Sequence, residues 1–237
     1  MSNQPPIEVP QGAIRLNTDS QRLEFFAQDR WYEFATNTPN LDGGARGFWL
    51  AGSFHPSVNP TNVIEFVTIS TQGNGTDFGD TSQKFKYNMG CASNTRGLSG
   101  GGVYGPSATY LNTIEFITMA SSGNAQDFGD LLDDNKQFPA ALGNQTRGIW
   151  GTGGASGSKK NTICFVTIAS TGNAIDFGDV TQARSNSGGV ASPTRGIFAG
   201  GYTPTNVNTI DFITIASTGN ANDFGDMTFK STMSGQA

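Results

Sequence analysis

The chain has 237 residues with 32 glycines and a formal net charge of −5, and only 14% of its residues are charged. Without a basic patch or an apolar run long enough to cross a bilayer, we expect neither nucleic-acid binding nor membrane insertion, and MSNQPPIEVP has no features of a secretory signal. Few residues favour helices, 17 are Phe, and two cysteines cannot form a disulfide framework, so we expect a soluble, acidic all-β protein.

Residues 1–40 predict an N-terminal attachment module built as a three-stranded β-meander. Its strands are expected at 13–17, 22–27 and 31–34, and residues 36–40 are typical of a linker. A module of about 25 residues cannot bury so many rings, which must pack on the rest of the chain, on a second copy or on another protein. Because aromatic surfaces are frequent at interfaces, we predict partner contacts for five rings: Phe25, Phe26, Trp31, Tyr32 and Phe34.

Residues 41–237 are organised by four repeats of about 49 residues. Each repeat has an Arg-Gly pair, a strand-like segment such as NTIDFITIA, a turn, and the sequence Asp-Phe-Gly-Asp. Four strands per repeat at this period are typical of a β-propeller blade, whereas leucine-rich and helical solenoids need residues that are missing here. We predict blades near 46–82, 83–132, 133–181 and 182–229.

The two ends of the repeat region indicate how the ring closes. The fourth repeat ends where its neighbours continue into a further strand, and the first repeat begins without that strand. We therefore predict a four-bladed β-propeller in which residues 230–237 pair beside residues 46–53 and complete the first blade, because this buries two sheet edges. In the weaker alternative, the same strand crosses to a neighbouring subunit.

Glycine pairs after the second strand make each repeat resemble a divergent kelch-type blade. The pairs are Gly101-Gly102, Gly153-Gly154 and Gly200-Gly201, whereas the first repeat has Ala51-Gly52 and a Phe replaces the usual Trp of the fourth strand. The sequence TRG…NTIDFITIASTGNANDFGD resembles repeat proteins of tailed bacteriophages, especially marine and cyanobacterial ones. PQGAIRLNTDSQRLEFFAQDRWYEF is similar to short β-modules of phage tail and virion surface proteins. The resemblance implies a structural protein of the virion.

Three residue types recur once per repeat, and we expect each to be structural. They are Arg46, Arg96, Arg147 and Arg195; Asp77, Asp127, Asp176 and Asp223; and Phe78, Phe128, Phe177 and Phe224. We expect the Phe to fill the core, one Asp of each Asp-Phe-Gly-Asp to bond turn amides, and the other to pair with the Arg. A calcium site at each Asp pair and an anion site lined by the arginines are the alternatives.

No group of residues in the sequence predicts catalysis, a cofactor or a metal site. His55 is the only histidine and is expected in a solvated loop, while Cys91 and Cys164 lack a basic neighbour and are expected to be packed thiols. The glycine-rich stretches lack the Lys and helix of a phosphate-binding loop. We therefore predict that the protein is not an enzyme.

The loops after the second strand of each repeat differ most, so recognition is expected there if anywhere. Their candidate glycan contacts are His55, Tyr104, Tyr110, Lys159, Lys160 and Tyr202.

The function that we predict is that of a non-enzymatic structural protein of a phage particle, located in the virion. The N-terminal module attaches to other virion proteins, and the propeller is displayed at the surface as a capsid decoration or a tail- or fibre-associated knob, in a homo-oligomer or symmetric array. The alternative is an adhesin that binds a host receptor or glycan through the variable loops.

Overall fold

The computed structural model has an all-β fold, as composition predicts, and it describes residues 9–17, 22–33, 46–54, 59–104, 109–135, 138–155 and 158–232. A 3₁₀ turn at Asp133–Asn135 lies between two strands. The chain separates into two compact units, Met1–Leu41 and Asp42–Ala237.

The first unit contains an antiparallel three-stranded meander, as predicted. Its strands are β1 (Ile14–Asn17), β2 (Arg22–Ala27) and β3 (Arg30–Glu33). Pairing of β2 with β3 sets Phe25 opposite Tyr32 and Phe26 opposite Trp31, with ring centroids 5.5 and 5.3 Å apart. Because side chains alternate along a strand, the two ring pairs lie on opposite faces of this sheet.

Among the described residues, the second unit contains four antiparallel sheets of more than two strands, one for each repeat. Sheet 1 contains β4 (Arg46–Phe54), β5 (Asn59–Thr68) and β6 (Thr76–Lys86). Sheet 2 contains β7 (Met89–Ala92), β8 (Arg96–Gly100), β11 (Thr113–Thr118) and β12 (Gln126–Asp130). Sheet 3 contains β13 (Ala140–Gly143), β14 (Arg147–Gly151), β17 (Thr162–Thr167) and β18 (Ile175–Asp179). Sheet 4 contains β19 (Gly188–Ala191), β20 (Arg195–Ala199), β23 (Thr209–Thr214) and β24 (Asn222–Asp226).

Sheets 2 to 4 are meanders in which each strand pairs with the next of its sheet. Short hairpins leave after the second strand: β9 (Val103–Tyr104) with β10 (Thr109–Tyr110), β15 (Gly154–Ala155) with β16 (Ser158–Lys159), and β21 (Tyr202–Thr203) with β22 (Thr205–Asn206). The strand β9 also pairs with the end of β6, so this hairpin extends sheet 1.

The second strand of sheets 2 to 4 ends at two residues with positive φ. In sheet 4 they are Gly200 (64°) and Gly201 (117°), and a Cβ on Gly201 would lie only 2.8 Å from a backbone oxygen. In the third repeat the residues with positive φ are Thr152 (61°) and Gly153 (100°), one position before the glycine pair Gly153-Gly154. In each of these sheets this pair ends the regular second strand.

The hydrophobic core lies between consecutive sheets. Trp150 of β14 is completely buried against Gly100 of β8, and its indole N–H donates to Met89 O at 3.0 Å. One sheet further on, Phe198 of β20 is equally buried against Gly151. A large ring on the later sheet therefore covers a glycine on the earlier one.

Sheet 1 has no first strand among the described residues, since β4 has only β5 as a neighbour. The segment predicted to complete it, residues 230–237, is described as far as Thr232 without forming a strand, and residues 233–237 lie outside the described part.

Candidate functional site

The residues that recur in the sequence meet at the contacts between consecutive sheets, which we call junctions. At the first junction the turn after β11 lies on β6, where the Gly123 N–H donates to Phe78 O and the Ala125 N–H to Asp80 O, both at 2.8 Å. The Asn124 side-chain oxygen accepts from the Asp80 N–H at 3.0 Å. The same bonds recur at the second junction (Gly172 to Phe128, Ala174 to Asp130, Asp130 to Asn173) and at the third (Gly219 to Phe177, Ala221 to Asp179, Asp179 to Asn220).

This close approach explains the glycine of Asp-Phe-Gly-Asp. Gly129 has φ +143°, and a Cβ there would lie 2.5 Å from Gly172 O of the next sheet, closer than real Cβ contacts. Gly79 and Gly178 face the next turn in the same way. A side chain at any of these positions would separate two sheets.

The repeated phenylalanines fill the space behind each junction. Phe78, Phe128 and Phe177 are at most 3% exposed, as predicted, whereas Phe224 is 53% exposed, so the prediction that it fills the core is wrong. Each buried ring lies edge-on to a ring of the adjacent strand: Phe66 at 5.8 Å, Phe116 at 5.8 Å and Phe165 at 5.6 Å between centroids.

The repeated arginines connect consecutive sheets, but not through the carboxylates that we predicted. Arg46 Nη1 donates to Met119 O of sheet 2 at 2.7 Å, and its guanidinium lies 4.7 Å from the centroid of the Phe66 ring. The bond recurs from Arg96 to Ile168 O at 2.9 Å and from Arg147 to Ile215 O at 2.6 Å. The acceptor is a main-chain carbonyl because the third strand of the next sheet has just ended and its carbonyl is free to accept.

The first Asp of each Asp-Phe-Gly-Asp is exposed, at positions 77, 127, 176 and 223. Asp223 Oδ1 accepts from the Gly225 N–H at 3.1 Å, the kind of turn bond that the sequence predicts. Within the described ranges, no three His, Cys, Asp or Glu side chains are grouped to hold a metal ion.

Buried carboxylates add a second polar link at two junctions. Glu115 Oε1 accepts from the Ser82 N–H at 3.0 Å. Asp211 accepts from the N–H of Thr181 at 3.2 Å and from its hydroxyl at 2.6 Å. Cys164 occupies the corresponding position in sheet 3, so its junction uses a different partner.

Sequence reasoning missed a fully buried ion pair at the start of sheet 4. Arg184 Nη2 lies 2.8 Å from Asp211 Oδ2, and neither side chain has any exposed surface. Arg184 also donates to Ser187 Oγ and Phe198 O, both at 3.3 Å. The available signal was a lone cation five residues after Asp-Phe-Gly-Asp, where the other repeats have Phe85, Asn135 and Ser231.

The cysteines have the character of packed thiols. Burial raises the pKa of both Cys91 and Cys164 to about 12, so both stay protonated near neutral pH. A protonated thiol is a poor nucleophile, which agrees with the sequence-based prediction for these residues.

Two of the candidate glycan residues lie together. Lys159 on β16 places its Nζ 4.7 Å from the ring centroid of Tyr202 on β21, and that tyrosine is 38% exposed. Tyr104 on β9 is 46% exposed. These tyrosines therefore offer ring surface to solvent at the hairpins.

The remaining candidates in the loops are placed differently. The Tyr110 ring lies 6.3 Å from Phe138, which in turn lies 5.2 Å from Tyr87, so Tyr110 belongs to an aromatic cluster that the sequence did not indicate. The Lys160 backbone N–H donates to Gly153 O. His55 lies outside the described residues.

In the first unit, four of the predicted partner-binding rings form the two pairs described above, and Phe34 lies outside the described residues. The Arg15 guanidinium lies 4.0 Å above Trp31. Hydrogen bonds from the side chains of Asn17 and Arg15 lower the pKa of Glu24.

The opposite face of this meander is apolar and open within its unit. Ile14, Leu16 and Leu23 are 64%, 59% and 51% exposed, on the face that carries Phe25 and Tyr32. An exposed aliphatic row on so small a sheet is typical of a surface that another protein covers.

No family model matches the chain, and no curated protein matches it. Among the described residues, no helix is long and apolar enough to span a membrane.

Proposed function

We propose that this protein is a non-enzymatic structural component of a bacteriophage particle. The observation that carries the proposal is the use of the repeated residues at the three junctions: there the arginines bond carbonyls of the next sheet, the phenylalanines are buried, and the glycines admit the next turn. The repeated residues therefore serve to hold consecutive sheets together rather than to carry out a reaction. The repeat sequence resembles those of phage proteins, and this resemblance supports a location in the virion.

In this proposal the first unit attaches the protein and the second unit is displayed. The meander of the first unit attaches the chain to other virion proteins through its apolar face, which carries Ile14, Leu16 and Leu23. The repeat unit is displayed at the surface, as a capsid decoration or as a knob on the tail or a fibre.

The finer architecture belongs to the same proposal: the four sheets are propeller-type blades whose ring closes within one chain or through a neighbouring copy, and residues 233–237 supply the strand missing from sheet 1. Ser231 bonds Gly201 and Val207 (2.9 and 3.2 Å) just as Arg184 bonds Gly153 and Lys160 one repeat earlier (2.8 and 3.2 Å). The strand β19 begins four residues after Arg184, and its residues 188–190 pair with 197–199. By the same spacing, residues 235–237 pair with 48–50 of β4.

A groove of about 560 Å³ lies where this strand belongs. It runs between β4 of sheet 1, from Arg46 to Ala51, and β7 of sheet 2, from Met89 to Ala92. A strand in this groove would pair with β4 and cover Phe48 and Leu50.

Particles purified from the virus that encodes the chain test this function, with an antibody to the repeat unit as the probe. We expect decoration of intact particles at regular positions, and loss of incorporation when residues 1–40 are deleted while the isolated repeat unit keeps its β circular dichroism. Absence of the protein from purified particles would contradict the proposal.

A glycan-binding adhesin is the second candidate, and the exposed rings of Tyr104 and Tyr202 favour it. A glycan array with the purified chain tests it, with Tyr104→Ala and Tyr202→Ala as variants and Tyr87→Ala as a control on another exposed ring. Specific binding that both hairpin variants lose would support the adhesin, and binding that neither variant changes would refute these residues as its contacts.

A further inference from the structure

Among the described residues, a junction forms three times, and the two surfaces that would form a fourth junction are exposed. At the outer strand of sheet 4, Phe224 is 53% exposed, although its counterparts in sheets 1 to 3 are at most 3% exposed. A Cβ on Gly225 would meet nothing within 4 Å, whereas one on Gly129 would collide with the next turn. This face of β24 therefore has the surface that receives a turn, but no turn lies on it.

The complementary half lies on sheet 1. The turn Gly73-Asn74-Gly75 has the sequence pattern of the turns that form junctions, and it is exposed. Ile69, just before it, is 69% exposed, whereas its counterparts Met119, Ile168 and Ile215 are at most 6% exposed. Trp49 is 58% exposed, whereas its counterparts on β14 and β20 are completely buried against the preceding sheet.

The polar groups that a fourth junction would use are also present, but they lie at opposite ends of the repeat unit, on sheet 4 and on sheet 1. Arg195 stacks 4.7 Å above its own Phe212, as the other arginines do on their rings, but Ile69 O, the carbonyl equivalent to their acceptors, belongs to sheet 1. Glu65 is exposed at the position of Glu115 and Asp211. Thr228 stands two residues after Asp-Phe-Gly-Asp, where Thr181 donates to Asp211.

We propose that these two ends join head to tail between copies of the chain, so that the turn 73–75 of one copy lies on β24 of the next. The partner is identified by the chemistry of the three internal junctions, because the surface that fits the face of β24 is the turn found on sheet 1 of this same chain. The interface is heterologous, which gives a closed ring or a continuing filament according to the rotation per copy. It rests on the proposed assembly role and specifies the contact through which copies associate.

The predicted bonds follow from the internal junctions. The Gly73 N–H donates to Phe224 O of the next copy, the Asn74 side-chain oxygen accepts from the Asp226 N–H, and Arg195 donates to Ile69 O. The aromatic ring of Trp49 covers Ala199, as Trp150 covers Gly100.

A cross-link distinguishes a contact between copies from one within a chain. In the full-length chain, Asn74→Cys with Asp226→Cys is treated with a short bis-maleimide and separated by denaturing electrophoresis. The matched control is Asn124→Cys with Asp80→Cys, which spans a junction already formed inside one chain and must link without changing the chain number. We expect the end pair to give dimers and a ladder of larger species.

An association measurement accompanies the cross-link. Mass photometry and sedimentation of the parent chain are expected to show oligomers whose fraction rises with concentration, and Phe224→Arg is expected to weaken association at least tenfold. Because Phe224 is already exposed, this variant keeps the β circular dichroism of the parent, and Asn74→Ala is a milder second variant. Ile175→Arg, at an exposed position on β18, is the control and leaves association unchanged.

Three outcomes overturn the inference. An end pair that links only within one chain, in a protein that stays monomeric at all concentrations, places the fourth junction inside the ring of a single chain. An end pair that does not link at all while the control pair does shows that these ends do not meet. Oligomers that persist undiminished in Phe224→Arg show that copies associate elsewhere. Each result leaves the virion role to its own test, since incorporation into particles is measured separately.

Discussion

Removal of the Arg184 guanidinium is the most direct test of what stabilises sheet 4. Arg184 and Asp211 are fully buried and 2.8 Å apart, so Arg184→Asn leaves a buried carboxylate with only the two bonds from Thr181. Breaking a buried pair by removal of one partner costs about 3–5 kcal/mol. At about 1.4 kcal/mol per tenfold change, the opening equilibrium of sheet 4 should rise by roughly two to four orders of magnitude.

The assay is native-state hydrogen exchange of the full chain, read at the amides of β19, β20 and β23. Faster exchange is expected in sheet 4 and in the adjoining β14, with little change in sheet 2, because sheet 3 separates sheet 2 from sheet 4 and stability in repeat arrays depends on neighbouring units. Lys84→Asn, which removes an exposed cation on β6, is the control and should leave exchange unaltered.

The chain itself supplies a rescue for this variant. Sheet 3 has Asn135 and Cys164 at these two positions, and the Asn135 side-chain amide donates to Thr152 O at 3.0 Å and Thr162 O at 2.7 Å. The double variant Arg184→Asn with Asp211→Cys copies that arrangement and should recover more than half of the lost protection. Protection in the single variant equal to that of the parent, or a double variant no better than the single one, would refute this reasoning.

Further predictions concern the glycine of the junction and the cysteine thiols. Gly129→Ala places a Cβ 2.5 Å from Gly172 O at a backbone with φ +143°, so we expect a loss of about 1–3 kcal/mol in the free energy of unfolding by urea, whereas Gly225→Ala, with open space around it, should lose less; equal losses would show that backbone conformation alone matters. Cys164 has a pKa raised to about 12, so a thiol reagent at pH 8 should modify it only after unfolding, and its rate should not rise between pH 7 and 9 in the folded chain; rapid modification at pH 8 without unfolding would contradict its burial.

The sequence predicts the features of this fold that depend on pattern and spacing. The all-β class, the meander with its strand at Arg22–Ala27 and the four strands of the later repeats follow from alternation, turns and a period of about 49 residues. These features are local, and each repeat confirms the others. The burial of Phe128 is of the same kind, since a Phe that recurs in every repeat indicates a repeated packing position, although Phe224 at the last position is exposed.

Contacts between sheets could not be predicted in the same way. Arg96 bonds the carbonyl of Ile168, a group that every residue carries, so no side-chain pattern marks the acceptor. The positive φ at Thr152 in place of a glycine depends on a backbone path that the surrounding sheet imposes. Arg184 precedes β19 and Asp211 lies in β23, with two hairpins between them along the chain, and only the folded chain brings them together.

Each junction combines a shared contact with a private one. The turn on the outer strand is the same at all three junctions, so it supplies cohesion but does not distinguish one sheet from another. The private contacts differ: Glu115 accepts from the Ser82 N–H at the first junction, Asp211 accepts from Thr181 at the third, and Cys164 takes the place of the acid at the second. A sheet stacked out of order would leave a buried carboxylate without its donor, at a cost of about 1–3 kcal/mol or more, so the private contacts fix the order of the sheets.

The open ends differ in this respect from the internal junctions. There the equivalent acid, Glu65, is exposed, so neither end carries a buried carboxylate that requires one particular donor. Inside the chain, where order must be unique, the buried carboxylates of Glu115 and Asp211 help to fix it. Identical copies can be joined in only one order, so the contact of the turn with the outer strand is sufficient to join them.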